Sequence, residues 1–264
     1  MDLGIKGRVA IVAASSKGLG KASAMALAEE GVKLTICARG EADLKSAADE
    51  IGGKTGAEVL PVVTDVTLKD NVNKLVQATL ERYGQIDILV NNAGGPPPVV
   101  SFLDVSDEGW QDSIGLNLIS TINMCRAVVP HMKDRKWGRI VNIMSVSVKQ
   151  PLDGLLLSNV SRMGVIGFSK SISNELAADN ITVNTVCPGP IMTDRVKNMT
   201  QARAKNEGKT PEEILVSYSS VIPMRRIGEP RELGSLVAFL ASELASYITG
   251  TAVQVDGGMA KGYY

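Results

Sequence analysis

Strand-like and helix-like segments alternate along the chain, which predicts an α/β fold: a doubly wound parallel sheet with helices on both faces. Three observations carry this. Runs such as Ile88-Leu89-Val90 and Ile140-Val141-Asn142-Ile143 are apolar at successive positions, as strands buried on both faces must be. Between such runs lie longer segments whose apolar residues recur at helical spacing. The chain also opens on a strand, a tight turn of small residues and a helix, the unit that begins a dinucleotide-binding sheet.

The spacing predicts strands over 8–13, 33–38, 58–63, 86–91, 138–144, 181–187 and 251–255, and helices over 18–30, 41–52, 68–83, 106–114, 117–134, 157–178 and 229–242. The first strand, Val9 to Val12, leads into the turn Ala13 to Gly20, and Ala22, Met25, Ala26 and Leu27 then mark one helix face. A helix N-terminus offers unpaired N–H groups and a positive dipole end to a pyrophosphate. Ser15, Ser16, Lys17, Gly18, Leu19 and Gly20 are therefore the candidate phosphate cradle, with glycines where a side chain would hold phosphates off the backbone. Ala14 stands where an earlier glycine is often found, and it fits there if its φ is negative.

The second strand ends in Ile36-Cys37-Ala38-Arg39. An acidic residue at this point would hold the ribose hydroxyls of NAD; here Ala38 takes the place and Arg39 follows. A guanidinium forks onto a 2′-phosphate, and Lys17 reaches the same position from the other turn, so NADP(H) is favoured over NAD(H). Asp65, in Thr64-Asp65-Val66, suits an adenine amino group or a cap on the next helix. The fourth strand ends in Asn91-Asn92-Ala93-Gly94-Gly95, small residues that let a ligand approach and asparagines that tie strands together. The stretch Pro188 to Pro223 breaks the rhythm by being long and polar, and a lid is expected within 190–225.

The bulk properties narrow the function. At 264 residues, with no repeat and no linker, the chain reads as one domain over 1–264. A formal net charge of zero argues against a nucleic-acid surface, and no apolar run is long enough to cross a membrane. Cys37, Cys125 and Cys187 have no paired spacing and read as buried reduced thiols; with no signal-peptide pattern in MDLGIKGRVA, a cytoplasmic location is expected. His131, the one histidine, follows Pro130 on a helix and reads as structural, so no Ser-His-Asp triad is expected; a lone histidine also rules out a multi-histidine metal site, and no metal is expected.

With Asp65-Val66, Asn91-Asn92-Ala93-Gly94, Asn117-Leu118, Gly138-Arg139-Ile140-Val141-Asn142, Val183-Asn184, Pro188-Gly189 and Asp256-Gly257-Gly258 in this order, the chain resembles the short-chain dehydrogenase/reductase family over nearly its whole length. Its texture is most similar to the 3-oxoacyl-acyl carrier protein reductase relatives. The resemblance implies a single Rossmann domain with a seven-stranded parallel sheet, and hydride exchange between NAD(P) and a carbonyl or alcohol of a small-molecule substrate. It adds Val66, Asn92, Ala93, Gly94, Pro188, Gly189, Ile191 and Thr193 to the cofactor contacts, with Thr193-Asp194 also suited to cap a helix. It also implies a homodimer or homotetramer packed through helix 157–178, where Ser161, Gly164 and Gly167 are small.

In that family a serine polarises the substrate oxygen and a tyrosine moves the proton. A lysine four residues on lowers the tyrosine's pKa and holds the nicotinamide ribose, and an asparagine supports a relay water. The serine and asparagine map to Ser145 and Asn117, but the tyrosine position reads Ser158 and the lysine position Arg162. Gly167-Phe168-Ser169-Lys170 and Asn174-Glu175-Leu176 continue the family helix and fix the alignment. Positions 158 and 162 share a helix face. An aliphatic hydroxyl is far less acidic than a phenol, and an arginine stays charged, though it still bonds ribose hydroxyls.

Three readings follow. The first, and the expectation, is an atypical NADP(H)-dependent oxidoreductase with a changed proton donor: Tyr218, Lys149, Tyr263, Tyr264, or a water held by Ser145, Ser158 and Asn117. The second is an NADP(H)-binding regulatory or structural oligomer without turnover. The third is chemistry that needs no tyrosine, such as elimination or isomerisation.

Overall fold

The computed structural model describes residues 2–92, 94–95 and 101–262. Seven strands form one sheet: β1 (Val9–Ala13), β2 (Lys33–Ala38), β3 (Val59–Val63), β4 (Ile88–Asn91), β5 (Gly138–Ile143), β6 (Ile181–Pro188) and β7 (Ala252–Val255). Every pairing is parallel, in the order β3-β2-β1-β4-β5-β6-β7. The order reverses between β1 and β4, which opens a crevice at their C-terminal ends, where ligands bind in such sheets.

Alternation along each strand feeds two cores. On one face Ala10, Val12, Leu34, Ile36, Val90 and Val141 pack against Leu27 of α1 (Gly18–Glu29), Leu44 and Ile51 of α2 (Glu41–Thr55), and Val237 of α9, the helix Pro230–Leu240. On the other, Ile11, Ala13, Leu89, Ile140 and Val183 meet α3 (Lys69–Tyr83) through Leu75, α5 (Ser120–Arg135) through Val128, and α6 (Leu156–Leu176) through Leu176. The short α4 (Asp107–Ile114) runs into a π-helical turn, Gly115–Ile119, which joins it to α5 without a break.

Expected and observed elements agree to within a few residues at each end. The exception is the long polar stretch 188–223, for which no helix was expected and which contains α7 (Asp194–Glu207) and α8 (Pro211–Ser220). Few apolar residues of α7 are buried, only Thr200 and Ala204 lying inside, so no hydrophobic periodicity announced it. Its neighbour carried a local signal: Thr210 and Glu213 form a reciprocal capping box with Pro211 in the first turn. A second correction concerns Asp65, which does not cap α3. Leu68 holds the cap position, while Asp65 Oδ1 accepts hydrogen bonds from Thr67 N (3.0 Å) and Thr67 Oγ1 (2.6 Å), and these hold its carboxyl below the usual range.

At the opposite, N-terminal edge of the sheet lies a charged cluster. Asp87, fully buried, accepts hydrogen bonds from Val9 N at 2.8 Å and Gln85 Nε2 at 2.7 Å, and faces Arg8 at 3.4 Å and Arg135 at 3.5 Å. The guanidinium groups of Arg8 and Arg139 both lie over the Trp137 ring, 3.8 and 4.3 Å from its centroid, and its indole N–H donates to Glu243.

Candidate active site

The turn after β1 is more strained than its sequence suggested. Ala14 has φ +47°, not the negative value expected, so an L-residue occupies the left-handed region. That costs about 1 kcal/mol relative to glycine. Ala14→Gly is expected to stabilise the protein by about that amount, raising the thermal midpoint by roughly 2–4 °C in a melting experiment. The conformation is fixed from behind: Asn92 Nδ2 donates to the Ala14 carbonyl at 3.3 Å, and a Cβ on Gly20 would fall 2.4 Å from that oxygen. Gly20 is therefore needed for the turn's own packing. Ser15 also faces inward, its hydroxyl donating to the Val12 carbonyl at 2.7 Å.

Three cavities run along the C-terminal ends of the strands. The first, about 510 Å³, is bounded by Ser16, Lys17, Arg39, Asp65 and Val66. Its neighbour, about 680 Å³, is bounded by Gly18, Leu19, Asn92, Arg162, Ile191 and Thr193, and the two share Ala14, Lys17, Gly94, Gly95 and Arg195. A third, about 340 Å³ and largely apolar, is bounded by Ser145, Leu152, Leu155, Met199, Tyr218 and Met259, and meets the second at Gly189, Pro190, Val196 and Met199. Pro188 also lines this third cavity. Most cofactor candidates thus fall on the first two cavities. Ala93, Tyr263 and Tyr264 lie outside the described residues.

Charge in the first cavity is cationic at the end of β2. Ala38 and the exposed Arg39 line it, while Lys17 is paired with Asp43 at 2.7 Å. The asparagine ladder expected from sequence is present: Asn91 Nδ2 donates to Asn142 Oδ1 at 2.8 Å, and Asn142 Nδ2 to Ser169 Oγ at 2.8 Å. It locks β4, β5 and α6 beneath the second cavity. Thr193 caps α7 by accepting from Val196 N at 3.4 Å.

Ser158 and Arg162 sit one turn apart on α6, as their spacing predicted, and they touch: Arg162 Nε donates to Ser158 Oγ at 3.0 Å. Arg162 also donates to the carbonyls of Met144 (2.9 Å) and Gly94 (3.4 Å). All three acceptors are neutral. The side chain is only 7% exposed, and burial, with Arg195 nearby, lowers its pKa to about 10. A guanidinium carries five N–H donors, so donors remain for a ligand at the cavity wall.

Ser145 begins a short turn after β5 and accepts a hydrogen bond from Ser147 N at 3.1 Å. That bond fixes the oxygen and leaves the hydroxyl proton for an acceptor in the apolar cavity. Asn117 lies in the π-helical turn, fully buried. Its amide donates to Ser161 Oγ at 3.0 Å and to the Ser113 carbonyl at 3.4 Å. Gly95, one of the small residues expected to admit a ligand, lines both of the first two cavities, whereas sequence reasoning did not single out Arg195. The role of Arg195 depends on where α7 starts, and α7 itself was not expected.

A family model described as enoyl-(acyl carrier protein) reductase matches residues 13–260. The 3-oxoacyl-[acyl-carrier-protein] reductase FabG of Chlamydia muridarum is 38% identical over 253 residues, covering 96% of this chain and 97% of that protein. The corresponding FabG of Aquifex aeolicus is 36% identical over 98% of this chain and 100% of its own length. Among solved structures, L-sorbose reductase from Gluconobacter frateurii, complexed with NADPH and L-sorbose, superposes with a TM-score of 0.95 at 35% identity, covering 99% of each chain. With the seven-stranded doubly wound sheet and this coverage, the chain belongs to the short-chain dehydrogenase/reductase family.

Proposed function

We propose that this protein is an NADP(H)-dependent oxidoreductase that reduces a carbonyl, or oxidises the corresponding alcohol, with an altered proton-transfer site. The observation that carries this is the continuity of the three cavities. The first two form a groove with the extended, two-compartment form of a dinucleotide, and Ser145 opens on the third. The NADP preference is supported by Ala38 and Arg39, which put a cation and no carboxylate at the end of β2, and by NADPH in the L-sorbose reductase structure. Lys17 joins Arg39 once a 2′-phosphate competes with Asp43 for it.

Bound NADPH would supply the hydride. Arg162, with Ser158 as its fixed acceptor, stands in the positions that hold tyrosine and lysine elsewhere in the family. Its spare N–H groups hold the nicotinamide ribose, and its charge favours a developing alkoxide. Ser145 donates its hydroxyl to the substrate oxygen, while Asn117 orders the turn behind α6. Tyr218 on α8 lines the same cavity as Ser145 and is the phenol that delivers the proton. Helices α7 and α8 form the lid over this cavity. The apolar lining from Leu152, Leu155, Met199 and Met259 selects a substrate with an apolar body.

The deciding experiment titrates the purified protein with NADPH and NADH, then follows cofactor oxidation with a carbonyl panel. Tighter binding of NADPH with turnover is expected. Binding without turnover across the panel favours the regulatory reading, and failure to bind either nucleotide overturns the proposal. Tyr218→Phe is expected to lower kcat about tenfold, less than the usual loss of a general acid, because water in the open groove partly replaces the phenol. Unchanged kcat in that variant removes Tyr218 as the donor.

A further inference from the structure

The two larger cavities adjoin through few residues, and one of them is a cation on the lid. We propose that Arg195 is a positioning residue that clamps the diphosphate of the bound dinucleotide and thereby ties α7 and α8 to cofactor binding. This rests on the reading of the groove as an NADP(H) site.

Arg195 lines both compartments, so it stands at their junction, where the two halves of a dinucleotide are joined. The other cation shared by the two, Lys17, is already paired with Asp43 at 2.7 Å, and Asp194, beside Arg195, faces Lys197 at 3.8 Å. The beginnings of two helices meet here. A Cβ on Gly18, at the start of α1, would lie 3.6 Å from Thr193 Cγ2, the cap of α7. The first turn of α1 has no acidic residue and no side-chain cap, so its N–H groups face the groove uncompensated.

The dipeptide Gly94-Gly95 brings two guanidinium groups together. Arg162 donates to the Gly94 carbonyl at 3.4 Å, and a Cβ on Gly95 would lie 2.9 Å from Arg195 Nη1. Two like charges bracketing one dipeptide repel, and an anion between them turns the repulsion into attraction. A diphosphate carries two negative charges and matches this arrangement. The lid needs such an anchor, because α7 buries only Thr200 and Ala204 and has little apolar packing of its own.

The test is NADPH affinity at low and high salt for the wild type, Arg195→Ala and Arg195→Lys, with adenosine 2′-monophosphate as a probe that lacks the diphosphate. Arg195→Ala is expected to weaken NADPH binding by about 10–30-fold and to flatten its salt dependence, as loss of one charge-assisted contact should. Arg195→Lys recovers part of the affinity, and adenosine 2′-monophosphate binds all three alike. In parallel, NADPH slows tryptic cleavage at the exposed Arg203 and Lys205 of α7 in the wild type but not in Arg195→Ala. Arg195 is exposed, so a melting curve for Arg195→Ala should match the wild type. If Arg195→Ala binds NADPH within about twofold of wild type with the same salt dependence, the clamp is overturned and the cofactor reading stands. A wild type that binds no NADPH overturns both.

Discussion

Ser145→Ala is expected to lower kcat for NADPH-linked carbonyl reduction by about 10²–10³-fold while leaving NADPH affinity unchanged. That is the usual effect of removing one donor aimed at a developing oxyanion. The split follows from the geometry. Ser145 lines the apolar cavity and neither of the two compartments assigned to the nucleotide. Its oxygen accepts from Ser147 N at 3.1 Å, which holds the side chain in place and keeps the hydroxyl proton available to the substrate oxygen. Alanine removes the donor in a cavity whose walls offer few alternatives. Ser145→Thr keeps the hydroxyl and should retain most of the activity. Equal loss of affinity and turnover in Ser145→Ala would place the residue in nucleotide binding instead.

The second large effect lies at the far edge of the sheet. Asp87→Ala is expected to destabilise the protein by about 1–3 kcal/mol, the range for leaving a buried donor, here Val9 N–H, without its acceptor, since Arg8 and Arg135 stay partly exposed. Asp87 is fully buried and collects Val9 N, Gln85 Nε2, Arg8 and Arg135. Removing it leaves the buried Val9 N–H without its acceptor, and leaves Arg8 with Glu243 alone, 3.2 Å away, beside the already crowded Arg139. Asp87→Asn keeps one oxygen for Val9 N and should cost less; both variants lose the charge, so their difference isolates the hydrogen bond to Val9 N, and the loss in Asp87→Asn reads the charge. Denaturant unfolding measures both. NADPH affinity should not change, because this cluster sits at the strand ends opposite the groove. A loss below about 1 kcal/mol would mean that solvent reaches the site on relaxation.

How much of this was legible in the sequence depends on the kind of signal each part leaves. The strands were legible because burial on both faces demands unbroken apolar runs, as in Ile88-Leu89-Val90. The contact between Ser158 and Arg162 was legible because four residues along a helix make one face, and the structure places them 3.0 Å apart. Helix α7 was not legible because it buries almost nothing apolar, and periodicity reads burial rather than helicity. The neighbouring α8 had a capping box that a closer reading of Thr210-Pro211-Glu212-Glu213 would have found. The positive φ of Ala14 was hidden, since that angle is imposed by Asn92 and Gly20 from elsewhere in the chain. Arg195 was hidden for a related reason: a lone arginine acquires meaning only when tertiary structure sets it between two cavities.

The three cysteines give the molecule a property that its chemistry does not require. Cys37 in β2 and Cys125 in α5 are fully buried, and desolvation pushes both thiols up to about 12; Cys187 in β6 is raised to about 11. Almost no thiolate exists in the closed molecule, so an alkylating reagent reacts only with a chain that has opened. The labelling rate of each thiol therefore counts openings around its own element: one near the outer half of the sheet, one under a flanking helix, one beside the groove. Slower labelling of Cys187 alone on nucleotide addition would record tightening of the groove, and slowing of all three together would record stabilisation of the whole fold.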